Sequence, residues 1–322
     1  MKAVWYETQG AAADVLVCGE MPTPHAGDGE VLVRMHHSGA NPSDVKMRNG
    51  PREMAFPRIV PHSDGAGVVE AVGSGIDPSL VGTRVFVRNG QWGRAQGTAA
   101  EYVALDADLV HPLPAEASFE VGAGLGIPAL TAAYAIFKDG AVEGENLLVH
   151  GGGGTVARLA VQMAVDSGAK VFATTSGNGD DLRNLGCQQV FDYRDPDVAA
   201  QIMGAAAGGM HRVIDAEIGV NLATNIEICA PKATIVGYGT FIEMTPTLPF
   251  IPMMFKNITL ASILVYLLGA EEAAAYAAIV HDMLADGRLD VPVATVLPLD
   301  DCVKAHELVE AGGRGGAVVL AC

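Results

Sequence analysis

One segment near the middle of the chain constrains the fold more than any other. Residues 146–150 form an apolar run, residues 151–154 are four consecutive glycines, and a helical pattern follows and ends near Gly168. A second apolar run follows at 170–175. A strand that enters a helix through glycines places unpaired backbone N–H groups and the positive helix end at one point, where a pyrophosphate binds. This order predicts a βαβ unit with a dinucleotide site.

The glycine segment also matches a known spacing. Gly152, Gly154 and Ala157 fit the G-x-G-x-x-G/A fingerprint. In that fingerprint the first glycine makes the tight turn, the second lets the backbone approach the phosphates, and the last small residue packs the helix against the strand. The expected pyrophosphate contacts are Gly152, Gly153, Gly154, Thr155 and Val156.

Composition and charge exclude several classes of protein. The chain has 322 residues, of which half are hydrophobic and 18% are charged, as is typical of a well-packed α/β protein with one large or two medium domains. Its net charge of -17 argues against a nucleic-acid partner, which needs clustered Lys and Arg. The longest apolar run, 258–268, has about half the length of a membrane span. We therefore expect neither nucleic acid nor membrane as a partner.

The cysteines and the N-terminus indicate a compartment. Five cysteines are scattered along the chain without a Cys-x-x-Cys pair, which favours free thiols in a reducing compartment over disulfides or structural zinc. The first residues enter an apolar strand and lack the long apolar core of a signal peptide. We expect a cytoplasmic protein.

Two different sequence patterns divide the chain into two parts. Residues 1–123 alternate short β-branched runs with Gly, Pro and Asp clusters, which predicts antiparallel strands with tight turns. Residues 124–290 alternate helical patterns with apolar strands, which predicts a parallel, doubly wound sheet. The expected strands of this sheet are 147–150, 170–175, 189–192, 211–215 and 233–238. The segment 291–322 is too short to fold alone, and we expect it to return to the first domain.

Several motifs follow one another in a characteristic order. They are 41–48, 61–70 with 71–75, 97–103, 126–132, the glycine loop and 191–193. Together they resemble the zinc-independent quinone oxidoreductase branch of the medium-chain dehydrogenase/reductase superfamily. The resemblance implies an α/β protein with a GroES-like β-rich catalytic domain at 1–123 and 291–322, and a Rossmann domain at 124–290. It also implies an active site between the domains, and a homodimer or homotetramer joined through the Rossmann domain.

The resemblance also bears on metal binding. Zinc-dependent relatives bind a catalytic zinc with Cys and His and carry a four-cysteine lobe. Here Asn41 stands at the first cysteine position, and no such lobe lies between Val85 and Tyr102. His62 falls at the second ligand position, but one imidazole does not make a zinc site. We expect no metal, and we interpret His62 as a hydrogen-bonded histidine.

The candidate catalytic residues are Asn41, Asp44 and Lys46. Without a Lewis acid, hydride transfer to a quinone or an α,β-unsaturated carbonyl is favoured, because the oxyanion is delocalised. Asn41 either orients the acceptor carbonyl or only builds a turn before a proline. Asp44 either accepts a backbone hydrogen bond or caps the next helix. Lys46 stands where many relatives carry Tyr, and its cation, like that of Arg48, either stabilises the oxyanion or extends into solvent.

The resemblance places further cofactor contacts along the chain. Thr131 corresponds to a hydroxyl at the nicotinamide, and Tyr193 to a tyrosine beside the adenosine. Tyr238 either flanks the nicotinamide ribose or is an ordinary, partly buried aromatic residue. Gly315 lies in a glycine-rich segment that either contacts the cofactor or forms a plain turn.

The end of the second parallel strand predicts which nicotinamide cofactor binds. A carboxylate about 20 residues after the glycines would bind the ribose 2′-hydroxyl and repel a 2′-phosphate. The chain has Thr174, Thr175 and Ser176 there instead, with Arg183 as the only nearby cation. We expect NADPH, with Thr175, Ser176 and Arg183 at the 2′-phosphate. The aspartates at 180–181 either cap the next helix or face the ribose.

The sequence therefore predicts an NADPH-dependent, zinc-free quinone oxidoreductase that acts on a quinone or a similar conjugated carbonyl. Two alternatives stay open. One is an enone or enoyl reductase, which needs a proton donor that no residue of the first domain obviously supplies. The other is a non-enzymatic NADPH-binding protein, because a fold alone does not settle a function.

Overall fold

The structure is a computed structural model that describes residues 1–50 and 53–322. The strands are β1 Lys2–Trp5, β2 Val17–Glu20, β3 Glu30–Ala40, β4 Asp64–Val72, β5 Arg84–Val87, β6 Tyr102–Asp106, β7 Val110–Pro112, β8 Asn146–Val149, β9 Lys170–Thr175, β10 Gln189–Asp192, β11 Met210–Asp215, β12 Cys229–Gly237, β13 Thr259–Ser262, β14 Val293–Pro298 and β15 Ala317–Ala321. The helices are α1 Ala12–Val15, α2 Pro42–Asn49, α3 Phe119–Gly122, α4 Pro128–Phe137, α5 Thr155–Asp166, α6 Asp180–Asn184, α7 Val198–Ala205, α8 Ile218–Ile228, α9 Phe250–Lys256, α10 Ala270–Ala285 and α11 Cys302–Ala311.

The chain forms two compact units. The first contains Met1–Leu130, Tyr266–Gly287 and Val291–Cys322, and the second contains Thr131–Val265 and Arg288–Asp290. The first unit thus includes α10, which the sequence analysis assigned to the nucleotide domain and which lies against β7. The functional domain boundaries at 123 and 291 stay a prediction.

A seven-stranded sheet forms the centre of the first unit. Its order is β14-β15-β3-β4-β5-β7, with β6 also paired to β3, while β1 and β2 form a separate antiparallel pair. Every pair in the large sheet is antiparallel except β14 with β15. Because β15 pairs with β3, the last segment of the chain lies in this unit. Alternate residues of β3, including Val31, Val33 and Met35, face a buried apolar cluster.

The second unit contains a six-stranded parallel sheet in the order β10-β9-β8-β11-β12-β13. Numbered along the chain from β8, this order is 3-2-1-4-5-6, which is the Rossmann arrangement. All four residues of β8 are buried, as expected for a strand covered by helices on both faces. The α/β fold with a GroES-like and a Rossmann unit is confirmed. The five predicted strands are present, and β13, which is short and largely exposed, is an additional one.

Two further expectations concern the whole chain. All five cysteines are free, as predicted. Among the described helices, none is both long enough and apolar enough to cross a membrane.

Candidate functional site

The glycine loop follows β8, which has β9 on one side and β11 on the other. The chain order of the strands therefore reverses at this point, and ligands of open α/β sheets bind at such a switch point. Gly151 has a φ of 66°. The tight turn is made by Gly151, and not by Gly152 as the fingerprint predicted, because a left-handed backbone at this position favours glycine.

The other loop glycines have two different roles. A Cβ on Gly152 would lie 2.5 Å from Leu182 Cδ1, so the loop can pass over α6 only without a side chain there. Among the described residues, a Cβ on Gly154 would meet Gly151 O at 3.4 Å and nothing else within contact distance, and a Cβ on Gly153 would meet nothing closer than 3.8 Å. The space beside Gly153 and Gly154 is therefore open to a ligand.

Helix α5 begins directly after this loop. Its N-cap residue, Gly154, supplies no side-chain hydrogen bond. The first-turn N–H groups, which include those of Thr155 and Val156, therefore lack the side-chain partner that many helices have. They form the positive end of a helix of 12 residues. The loop and helix end fit a pyrophosphate, since they offer N–H donors, partial positive charge and open space.

A buried hydrogen-bond network, which the sequence analysis missed, connects the strand ends beside the loop. Asn225 Nδ2 donates to Asp215 Oδ2 at 2.7 Å, and its Oδ1 accepts from His150 Nε2 at 2.7 Å. His150 Nδ1 accepts from Thr174 Oγ1 at 3.0 Å, and that oxygen accepts the Gly151 N–H at 3.3 Å. The network joins the ends of β8, β9 and β11. Polar residues at the ends of three apolar strands were the available sequence signal.

The network engages one of the three hydroxyl groups at the end of β9. Because the Thr174 hydroxyl donates to His150, the hydroxyls that remain at the end of β9 are those of Thr175 and Ser176. Thr175 Oγ1 accepts the Gly177 N–H at 3.2 Å. Ser176 is exposed.

Two arginines lie at this edge of the sheet. Arg183 pairs with Asp180 at 2.8 Å, and Asp180 does not cap α6, because the N-cap residue there is a glycine. Arg194 donates to Ser176 O at 2.9 Å and pairs with Asp192 at 2.7 Å. The expectation that Arg183 is the only nearby cation was wrong. The pairing of β9 with β10 brings Arg194 to Ser176 across 18 residues of chain.

The other predicted cofactor contacts occupy four separate places. Tyr193 directly follows β10 and is 50% exposed. Tyr238 directly follows β12, its N–H donates to Asp215 O at 3.0 Å, and burial raises the pKa of its phenol. Thr131 is buried within α4. Gly315 lies in the first unit with a φ of 71°. Their roles toward a cofactor stay predictions.

In the first unit, Asn41 follows β3 and is the N-cap residue of α2. Its backbone N–H donates to Asp44 Oδ2 at 2.7 Å, and its side-chain Nδ2 donates to Asp64 Oδ2 at 2.8 Å. All three residues are buried. Asn41 therefore begins a helix and also holds its amide in a fixed orientation. Asp64, which fixes that orientation, was missed by the sequence analysis.

Burial changes the charge of this cluster. It raises the pKa of Asp44 to about 7, and hydrogen bonds from Asn41 and Ser63 oppose the increase. Burial also raises the pKa of Asp64 well above its ordinary value, and the nearby Asp44 adds to the increase. Burial therefore favours the uncharged form of Asp64. The Asn41 amide lies beside two buried carboxyl groups whose ionisation burial disfavours.

The two predicted cations on α2 lie in opposite environments. Lys46 is exposed. Arg48 is fully buried, where Nε donates to His306 Nδ1 at 3.2 Å and the other nitrogens donate to Gly10 O and Glu310. Of the two alternatives for Arg48, extension into solvent does not occur, because its acceptors come from chain segments far apart in sequence and bury the guanidinium.

A chain of hydrogen bonds continues from His306. Since the guanidinium of Arg48 can only donate, His306 Nδ1 is an acceptor and its Nε2 carries the proton. His306 Nε2 then donates to His62 Nε2 at 3.0 Å, and His62 Nδ1 donates to Ser38 Oγ at 2.8 Å. The Ser38 hydroxyl lies 2.8 Å from Thr98 Oγ1, which donates to a backbone carbonyl. His62 is hydrogen-bonded, as predicted.

Among the described residues, His62, Cys302 and His306 bring three possible metal ligands together, with donor atoms within 4.8 Å of one another. The arrangement does not fit a bound cation. The two Nε2 atoms already share a hydrogen bond, and the Arg48 guanidinium donates to one of the imidazoles. Burial raises the pKa of the Cys302 thiol, which opposes formation of the thiolate that a metal needs.

Replacing His306 by Gln will make the stability of the protein less sensitive to acid. Burial, together with Arg48, lowers the pKa of His306 to about 3, whereas the unfolded chain takes up this proton near 6.5. The unfolded state therefore binds more protons between these values, and stability falls as the pH drops through this window. We expect the wild-type Tm to fall more steeply than that of the variant, by several degrees, from about pH 6.5 to pH 4.

The Tm profiles of the wild type and the variant must be compared with each other, because Asp44 and Asp64 also change stability with pH. Their pKa values are raised, so they change it in the direction opposite to His306, and they do so equally in both proteins. Differential scanning fluorimetry at a series of pH values measures both profiles. Parallel profiles would contradict a neutral, buried His306.

Comparison with known proteins adds to this geometry. Residues 27–115 match the family model "Alcohol dehydrogenase GroES-like domain", and residues 155–282 match "Zinc-binding dehydrogenase". The chain is 31% identical to the rat quinone oxidoreductase over 319 residues, which cover 96% of this chain and 92% of the rat protein. The chain belongs to the quinone oxidoreductase branch of the medium-chain dehydrogenase/reductase superfamily. The pig quinone oxidoreductase is 30% identical and covers 94% of the chain and 92% of its own length.

Solved structures of this superfamily extend the similarity to three dimensions. A mycobacterial quinone oxidoreductase has a TM-score of 0.90 and 27% identity, with all of both chains covered. A mycobacterial relative complexed with NADPH has a TM-score of 0.87 and 27% identity, again over all of both chains. The predicted family is confirmed.

Proposed function

We propose that this chain is an NADPH-dependent, zinc-free quinone oxidoreductase that reduces a quinone or a similar conjugated carbonyl. The observation that carries the proposal is the orientation of the Asn41 amide by Asp64, a buried carboxyl group whose ionisation burial disfavours. Quinone oxidoreductases from rat and pig, similar along nearly the whole chain, support it. The complex of a mycobacterial relative with NADPH supports the choice of cofactor.

The residues that would hold the phosphates of NADPH lie on the Rossmann unit. Gly153 and Gly154 leave open space, and the first turn of α5 offers N–H donors for the pyrophosphate. Thr175, Ser176 and the two arginines at the ends of β9 and β10 would hold the 2′-phosphate. We also propose that Thr131, Tyr193, Tyr238 and Gly315 contact the cofactor, as the resemblance implies. When bound, NADPH supplies the hydride.

The contribution of the first unit is to stabilise charge. One Asn41 N–H is held by Asp64, and we propose that the other donates to the acceptor oxygen, where negative charge develops. Burial disfavours the ionised form of Asp64, which would repel that charge. Asp44 fixes the Asn41 backbone. Lys46, which is exposed, stays a candidate for a longer-range electrostatic contribution.

A turnover screen tests the proposed function. NADPH and NADH are each offered with quinones, enones and simple ketones, and the decrease in nicotinamide absorbance is followed with and without chelator. We expect quinone-dependent oxidation of NADPH that chelator does not change. Cofactor binding without turnover of any acceptor would support the non-enzymatic alternative instead.

Enone reduction is the second candidate function, and one observation favours it. The reaction needs a proton for the α-carbon, and burial raises the pKa of two carboxyl groups beside Asn41, those of Asp44 and Asp64, which the sequence did not reveal. Turnover of an enone at a rate above that of all the quinones would establish this alternative.

The choice of NADPH gives a further prediction. Arg183→Ala will weaken NADPH binding more than NADH binding, by about 1–3 kcal/mol, because a charge-assisted bond to the 2′-phosphate is lost. Arg194→Ala, at the neighbouring strand end, will have an effect of the same sign. Titration of both cofactors against the wild type and the two variants measures this. A wild-type enzyme that prefers NADH would contradict the assignment of the 2′-phosphate pocket.

We also propose that the chain is cytoplasmic, in line with its five free thiols, and that it forms a homodimer or homotetramer through the Rossmann unit. Large apolar side chains are exposed there between residues 241 and 255. They include Phe241, Ile242, Met244, Phe250 and Phe255. Strand β13 also lies at an edge of the parallel sheet. Exposed apolar surface beside a free strand edge is typical of a subunit interface.

Charge in this surface will disrupt the oligomer. Ile242 and Phe255 are 78% and 82% exposed. The double variant Ile242→Lys, Phe255→Glu will place two charges where a partner subunit would bury them, so we expect a monomer by light scattering. Val81→Lys, which changes an apolar side chain exposed to 48% in the other unit, is the control and will keep the wild-type mass. A wild-type monomer would contradict the proposal.

A further inference from the structure

A stacked aromatic pair lies in the first unit. The rings of Trp92 and Tyr266 have centroids 4.4 Å apart and planes inclined by 22°. Both residues are partly exposed. Neither residue lies in a strand of the large sheet, and neither was singled out by its sequence pattern.

The pair is held by the loop that carries Trp92. The Trp92 N–H donates to Asn89 O at 3.0 Å, and the Asn89 side chain donates to Tyr266 O at 3.2 Å. Asn89 is buried and has a φ of 54°, a conformation that asparagine adopts more readily than most residues. Arg94 donates to Gly90 O at 3.1 Å within the same loop. The two rings are therefore oriented before any ligand binds.

The hydroxyl of Tyr266 connects this pair to the Asn41 cluster. It donates to Ser43 Oγ at 2.8 Å, and Ser43 lies two residues after Asn41 in the first turn of α2. Burial raises the pKa of Tyr266, and Asp44 adds to the increase, so the phenol keeps its proton. Since Ser43 Oγ accepts from Tyr266, its own hydrogen can be donated to another acceptor. Ser43 is partly exposed.

We propose that Trp92 and Tyr266 form the surface on which the acceptor ring stacks, and that Ser43 is a second hydrogen-bond donor to its oxygen, beside Asn41. The proposal rests on the proposed quinone oxidoreductase function and narrows its substrate class. Electron-rich indole and phenol rings stack well on a flat, electron-poor ring. A fused-ring quinone covers more of this surface than a single ring, so the site selects naphthoquinones and phenanthrenequinones over benzoquinone and short enones.

The first test measures selectivity for acceptor size. Trp92→Leu is compared with the wild type on 1,4-benzoquinone, 1,4-naphthoquinone and 9,10-phenanthrenequinone. We expect kcat/KM to fall about tenfold for the two fused-ring quinones, mainly through KM, and to change less than about twofold for benzoquinone. Trp5→Leu is the matched control, because Trp5 is the only other tryptophan of the chain and stacks on Arg58. It will keep the wild-type order of acceptors.

The second test measures binding of the quinone at the Trp92 ring and does not require turnover. In Trp5→Phe, Trp92 is the only tryptophan, and naphthoquinone should quench its emission along a saturable curve. In Trp92→Phe, only Trp5 remains, and quenching should rise linearly with quinone concentration, as collisions alone produce. Linear quenching in both proteins would overturn the proposal, even if a Trp92 variant is poorly folded.

The third test concerns the hydroxyl groups. Tyr266→Phe keeps the ring and removes the hydroxyl, and Ser43→Ala removes its partner. Each will lower kcat about tenfold with little change in KM, and the double variant will lose no more than about the larger single effect, because both act through one hydrogen-bonded unit. Unchanged kcat in both single variants would overturn the role of Ser43.

The outcomes separate this inference from the proposed function. A wild-type enzyme that reduces no quinone contradicts the proposed function itself. A wild-type enzyme that reduces all three quinones, with the same ratios in Trp92→Leu, contradicts only the aromatic surface.

Discussion

Replacing Gly154 by Asp will lower the affinity for NADPH by at least about 100-fold while the protein stays folded. The variant places a carboxylate at the uncapped N-terminus of α5, where the pyrophosphate is expected to accept backbone N–H groups. The carboxylate competes for those donors and repels the phosphates. The loss of charge-assisted hydrogen bonds worth about 1.5–3 kcal/mol each is enough for the effect, since about 1.4 kcal/mol corresponds to a tenfold change.

The backbone at this position tolerates the substitution. Gly154 has φ -83° and ψ 155°, which any residue adopts, and its Cβ would meet Gly151 O at an acceptable 3.4 Å. Gly204→Asp is the matched control, because Gly204 lies on α7, is exposed, and has no described atom within 4 Å of an added Cβ. Titration by NADPH fluorescence, with circular dichroism as a check on folding, measures both variants. A folded Gly154→Asp protein with wild-type affinity would show that this loop does not bind the cofactor.

The prediction of the Rossmann unit from sequence succeeded because its signals are local. Each strand from β8 to β12 is a short apolar run, and the loop at 151–154 lies between a strand and a helix that are contiguous in the chain. Strand β13 was missed because all four of its residues are fully or partly exposed at one edge of the sheet, and its sequence lies within a longer apolar run without alternation.

The side-chain contacts at the end of β9 could not be predicted without knowing how the strands pair. The sequence contained Arg194, but only the register of β9 with β10, in which Thr175 lies opposite Asp192, brings it to Ser176. Similarly, the sequence shows a hydroxyl at Thr174 but not its hydrogen bond to His150. A motif specifies residue types and spacing, but not the hydrogen-bond partners that compete for a side chain.

The first unit was harder to predict because its important contacts join residues distant in sequence. Asp64 lies 23 residues from Asn41, Tyr266 lies 223 residues from Ser43, and Arg48 lies 258 residues from His306. The pKa values of Asp44 and Asp64 depend on burial, which no local pattern reports. Sequence reasoning therefore selected Asn41 and Asp44 as candidates, but not the side chains that set their environment.

The second large effect that we expect is a loss of stability when Arg48 is replaced. Replacing Arg48 by Met will lower the free energy of unfolding by about 3 kcal/mol, because the variant leaves the Gly10 carbonyl and the buried His306 imidazole without their donor and removes the partner of Glu310. Met fills much of the same volume, so the cost comes from lost hydrogen bonds and not from a cavity. Urea denaturation without cofactor measures the change.

Arg58→Met provides the matched control. Arg58 also pairs with a glutamate, Glu7, in the same unit, but the two side chains are 48% and 55% exposed, whereas the Arg48 side chain is 0% exposed. An exposed pair contributes less than about 1 kcal/mol, so the control will unfold close to the wild-type midpoint. Equal effects of the two substitutions would contradict a structural role for the buried network.

The same variant decides between two interpretations of Arg48. If its cation stabilised the acceptor oxyanion directly, Arg48→Met would lower kcat in fully folded protein and leave the unfolding midpoint nearly unchanged. The structure predicts the reverse, because the guanidinium nitrogens donate to Gly10, Glu310 and His306. We therefore expect nearly wild-type kcat at low temperature, where the variant is still folded, and a large loss of turnover only as heating unfolds it.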